Sequence, residues 1–139
     1  MSEERIVIGR NYIETLLLTL TKIEFTSPSV DVLVRIVVRL EDEVCGLSTL
    51  MEDVRNVYTR TFKKMLKEYF GKDLPLPDSL FEKCNVVQNA LDYLLKNPNV
   101  AVEGRYLTSV AEEKIKTTVA RIGRASIFAT LYSLGLIKV

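Results

Sequence analysis

"FTSPSVDVLVRIVVRLEDEVCG", residues 25–46, decides the fold class, because its density of Val and Ile suits a β-strand as readily as a helix. A half-covered strand alternates apolar and polar residues, whereas a helix with one buried face repeats apolar residues every three or four positions. Val30, Leu33, Val34, Val37, Val38 and Leu40 follow the second rule. The ends agree with it. Ser27 can accept a hydrogen bond from a free N–H of the first turn, Pro28 suits the first helical position, and Gly46 suits the left-handed position after the last turn. The stretch is read as a helix, and the chain as all-α.

The same period recurs on both sides. Residues 6–25 place Ile6, Ile13, Leu16, Leu17, Leu20 and Ile23 on one stripe. A third helix is expected from Thr49, whose hydroxyl with Glu52 makes a capping box, to Phe70 before Gly71. Its apolar face is Val54, Tyr58, Phe62, Met65, Leu66 and Tyr69, so both tyrosines read as core rather than as stacking platforms. "GKDLPLPDS", residues 71–79, cannot continue a helix and forms the one joint in the chain. Ser79 and Glu82 then cap a fourth helix running to about Lys96. Residues 98–105 lack a helical period and read as a short strand or ordered loop. Ser109 with Glu112 caps a fifth helix, which Gly135 ends. The expected architecture is a single-domain bundle of about five helices across residues 1–139.

A chain of 139 residues with 47% apolar content suffices for one packed core. The net charge of +1 hides a segregation of sign: residues 1–54 carry net −5, 55–72 net +5, 73–104 net −3 and 105–139 net +4. Such blocks serve polyanion binding, or they let acidic and basic helices of one fold attract each other. "MSEERIVIG" lacks the basic start and apolar run of a secretory leader, and no apolar run approaches the roughly 20 residues that span a bilayer, so a soluble cytoplasmic protein is expected. Cys45 and Cys84 have no zinc-type spacing and read as two small buried thiols, a disulfide being the lesser alternative. One Gln, no His and no Trp lean towards a thermophile.

Catalytic chemistry leaves little trace. Without His the commonest general base and transition-metal ligand is missing, and no phosphate loop, dinucleotide fingerprint or nucleophile elbow occurs. Glu41, Asp42 and Glu43 could hold a divalent cation with Glu52 and Asp53, but read better as the solvated end of the second helix. No enzyme, cofactor, metal or small-molecule substrate is expected. The candidate surface is cationic. Lys114, Thr117, Thr118, Arg121 and Arg124 recur on one side of the last helix while Lys116 points elsewhere; Asn56, Arg60, Lys63 and Lys67 share a face of the third. Cations one and two turns apart suit the phosphates of a passing strand, and equally make an ordinary wet face. Gly123, with Ala120 and Ala125 around it, is better explained by a close helix crossing than by a nucleic-acid backbone.

"EFTSPSVDVLVRIVVRL" and "YLTSVAEEKIKTTVARIGRASIFATLYSLG" together resemble the small helical subunit of archaeal type I-A CRISPR interference complexes, over about a third of the chain. The likeness lies in the Ser-Pro restart before an Arg-bearing apolar helix and in the late helix with its Ala/Gly-rich end; the middle of the chain matches no such pattern. The resemblance implies a non-enzymatic subunit of an RNA-guided surveillance complex. Its partners would be the other protein subunits and a single-stranded DNA or RNA backbone, with Arg60, Lys63, Lys67, Lys114, Arg121 and Arg124 as backbone contacts, and Arg35 and Arg39 as weaker additions. The other classes left open are a DNA-binding regulator of an archaeal virus or plasmid, and a helical assembly adaptor without nucleic-acid contact.

Overall fold

The computed structural model describes residues 29–49, 53–70, 76–97 and 109–135. The helix expected over 6–25, the caps at Ser27 and Pro28, the Thr49–Glu52 box, the side chain of Ser109 and the strand or loop over 98–105 lie outside the described residues. Within them are four α-helices: α1 (Val30–Gly46), α2 (Asp53–Phe70), α3 (Val86–Lys96) and α4 (Ser109–Ser133). Single 3₁₀ turns stand at Leu47–Thr49 and Asp78–Phe81. No strand occurs among the described residues, and the protein is all-α.

The Val-rich run of α1 is helical because burial follows the helical period. Leu33, Val37, Leu40, Glu41 and Val44 are its buried positions. The helix begins two residues later than expected, at Val30, and Ser29 rather than Ser27 caps it, its Oγ accepting from the Val32 N–H at 3.3 Å. Gly46 departs from expectation. It stays within α1, and the chain runs on in right-handed geometry through Leu47, which is buried, while the Ser48 hydroxyl donates to the Cys45 carbonyl at 2.6 Å. With the last carbonyls satisfied in this way, no left-handed residue is required. Gly135 does take that role, ending α4 at φ +71°.

The start of α3 is also corrected. Ser79 and Glu82 do not cap it: Asp78–Phe81 is a 3₁₀ turn and the α-helix begins only at Val86. Tertiary restraints on this segment explain the delay. Phe81 packs against Phe62 of α2 with ring centroids 6.3 Å apart, and Cys84 is joined to Cys45 in a disulfide with Cα atoms 6.0 Å apart. The reading of two separate thiols is thereby overturned. A bridge across 39 residues of sequence separation removes chain entropy from the unfolded state, about 4 kcal/mol in the simplest loop-closure picture.

α4 is the axis of the bundle, packing against α1, α2 and α3, which meet one another far less. Ile115, Thr118, Val119, Ala120, Ile122, Ser126, Ile127, Thr130 and Leu131 are buried on it, an arc of roughly 220° at 100° per residue. Helices converge at Gly123. A Cβ there would stand 2.8 Å from a Val87 methyl of α3 and 2.9 Å from a Val37 methyl of α1, with the Phe62 ring of α2 at 3.8 Å. Both valines are buried and stiff at χ1, so neither can swing aside. Gly123→Ala is expected to lower stability by about 1–2 kcal/mol, because overpacking outweighs the gain in helix propensity of about 1 kcal/mol. Combining it with Val87→Ala should be markedly less damaging than the sum of the two single changes in denaturant titrations. An additive result would show that the crossing is not the reason for the glycine.

Candidate nucleic-acid interface

With so much of α4 covered, most of its exposed residues fall on one ridge, Glu113 and Ser133 lying off it. Val110, Lys114, Arg121, Ala125 and Tyr132 share it and are all open to solvent. Lys114 and Arg121 are seven residues apart, about 10.5 Å along the axis. Beside Arg121, α4 and α2 form a groove of about 420 Å³ whose walls are Thr118, Arg121, Ile122 and Ala125 on one side and Met65, Glu68 and Tyr69 on the other. Tyr69, expected in the core, is 64% exposed. Its azimuth on α2 points inward, but it lies in the last turn, and its ring stands edge-on to Phe70 at 5.5 Å.

The remaining cations do not form one surface with this ridge. Thr118 is buried under the groove rather than presented from it, and Thr117 is half-buried. Arg124 is half-buried, with its guanidinium 5.3 Å from the centroid of the Phe128 ring. Lys63 pairs with Asp78 at 2.7 Å and lies 5.6 Å from the centroid of the Phe81 ring, so its charge is used in holding the Pro-rich joint against α2. The Asp78 carboxyl is correspondingly held below its usual range by that hydrogen bond and charge. Arg60 is exposed and lines a shallow recess with Asn56, Thr59, Lys63 and Phe81. Lys63 and Met65 diverge by about 160° around α2, so this recess and the Tyr69 groove open on different flanks. Lys67 is half-buried on the Arg60 side.

Lys116 does turn away from the ridge. It bridges α4 to α1, meeting Asp31 at 3.3 Å and Glu112 at 3.0 Å. The Glu112 hydrogen bond holds its ammonium above the usual lysine range, with Asp31 adding and desolvation opposing. Lys63–Asp78 and Lys116–Asp31 therefore join basic blocks of the sequence to acidic ones inside the fold. Arg35 donates from Nε to the Asp31 carbonyl at 3.3 Å, and Arg39 is exposed on α1.

The acidic run of α1 is corrected more sharply. Asp42 is exposed, but Glu41 is buried, and its Oε2 accepts from the Tyr58 hydroxyl and from the Val87 N–H at 3.2 Å. Asn85, at the start of α3, makes no side-chain cap, so a carboxylate from α1 caps that helix instead. No cluster of metal-ligating side chains occurs among the described residues. No helix among them is long and apolar enough to cross a membrane. Searches against models of known families, curated proteins and solved structures return no match for this chain.

Burial holds the Glu41 carboxyl above the usual range; the Tyr58 hydroxyl and the Val87 and Val86 N–H groups pull it down, and the charge of Asp42 adds to the rise. Burial, then the Glu41 charge, keeps the Tyr58 hydroxyl protonated well above its ordinary value. A raised carboxyl contributes stability that is present below its unfolded pKa and lost as pH rises through the folded one. Wild type should therefore gain stability relative to Glu41→Gln as pH falls from 7.5 towards the ordinary Glu value of 4.5, read from paired thermal melts. A gap that stays constant, or moves the other way, would contradict the assignment.

Proposed function

We propose that this chain is a non-enzymatic subunit that holds a single nucleic-acid strand by its backbone, within an RNA-guided CRISPR surveillance complex of the kind the type I-A resemblance implies. The observation that carries the backbone-binding part is the exposed row of Lys114 and Arg121 on α4, two turns apart and without acidic residues between them on that ridge. Cations fixed on a rigid helix give phosphates sequence-independent anchoring, which suffices where base pairing with a guide supplies the specificity. The complex itself is supported by the likeness of residues 24–40 and 106–135 to that family. Within the proposed set the roles differ. Lys114 and Arg121 are the principal contacts, Arg60 and Lys67 make a second, separate patch on α2, and Lys63 and Arg124 contribute less because each already packs within the fold.

Affinity for a 20-nucleotide single-stranded DNA should fall steeply with salt, the log–log slope being about −0.7 per phosphate neutralised. Arg121→Glu should flatten that slope by about one contact or more, whereas Lys63→Glu should change it little. Equal effects of the two changes would contradict the partition of roles. Absence of binding to any strand at low salt would reject nucleic-acid contact and favour an adaptor docking on acidic protein partners.

A further inference from the structure

The groove beside Arg121 has more chemistry than a phosphate contact needs. Its interior is apolar through Met65, Ile122 and Ala125, a half-free aromatic ring stands at its edge in Tyr69, and Arg121 supplies a cation at the same mouth. Glu68 also lines it, an exposed carboxylate able to accept from a base N–H. The groove's volume of about 420 Å³ is that of a small-ligand pocket, for which about 300–1,000 Å³ is usual. Tyr69 stands edge-on to Phe70, which itself packs on the core, and leaves a face of its ring open.

We propose that this groove is a base-stacking subsite that takes one unpaired base of a single DNA strand, with Tyr69 as the stacking face and Arg121 on the adjoining phosphate. The inference rests on the reading of α4 as a backbone-binding ridge and adds a preference that the ridge alone lacks. Phosphate contacts treat duplex and single strand alike, apart from charge density, whereas an aromatic face in a groove accepts only a base free of its stack. The occupant follows from charge complementarity: the two exposed cations on the ridge, Lys114 and Arg121, lead a polyanion past the mouth, and its apolar parts are the bases. Stacking engages any π-face, so the subsite leaves the strand's sequence unread.

The test compares an oligothymidine with an abasic strand of equal length and charge, by fluorescence anisotropy on the full chain. Wild type should bind the oligothymidine roughly 5- to 150-fold more tightly than the abasic strand, the range that one stacked base supplies. Tyr69→Ala should bind both strands at the abasic level with an unchanged salt slope, and Tyr69→Phe should keep the preference. Tyr69 is exposed, so a circular dichroism spectrum matching wild type is expected for both variants. A wild type that binds both strands equally, or a Tyr69→Ala protein that keeps the preference, overturns the subsite while leaving backbone binding intact. No binding of either strand at low salt overturns both.

Discussion

The approach of three helices to the missing side chain of Gly123 sets the rest of the structure. Without a Cβ at that position, Val37 from α1 and Val87 from α3 come within van der Waals reach of the α4 backbone, and Phe62 closes the space from α2. Close crossing there lets α4 pack against all three neighbours and buries more than half of its circumference. The functional surface follows by subtraction. The main open strip of α4 is the ridge of Lys114, Arg121 and Ala125, and α2 runs alongside it to form the groove, with Tyr69 exposed in the last turn.

Polar groups inside the bundle serve the same arrangement. α3 is the shortest α-helix among the described residues and brings no side-chain cap of its own, so its position depends on α1 twice: Glu41 closes its first turn, and the Cys45–Cys84 bridge fixes the segment before it. The carboxylate is costly to bury, and the Tyr58 hydroxyl and Val87 N–H that donate to its Oε2 offset part of that cost. Placing Glu41 there specifies which helix α1 meets, since only an N-terminus presents free N–H groups to an anion.

Much of this was legible in the residues. Helical period outweighed β-propensity in α1, and Gly123 announced a crossing through its small neighbours. Glu41 left a signal that its acidic neighbours obscured: it lies four residues after Val37 and three before Val44, on the buried ridge. Contacts distant in sequence could not be read. Nothing local to Lys63 points to Asp78 or Phe81, and nothing local to Cys45 points to Cys84, because these pairings are decided by how the helices stack. Tyr69 shows the limit of azimuth alone, since a residue facing inward on a helix wheel is buried only where the helix still has neighbours.

Charge segregation in the sequence resolves into two uses. Acidic and basic blocks attract internally at Lys63–Asp78 and Lys116–Asp31, which leaves Lys114 and Arg121 as cations presented on the α4 ridge. The most direct test of this division is a backbone amide chemical-shift map recorded while a short oligothymidine is added at low salt. The largest shifts should fall at Thr118, Arg121 and Ala125 of α4 and at Met65, Glu68 and Tyr69 of α2. Shifts centred instead on Asn56, Thr59 and Arg60, or absent from α4 altogether, would contradict the account.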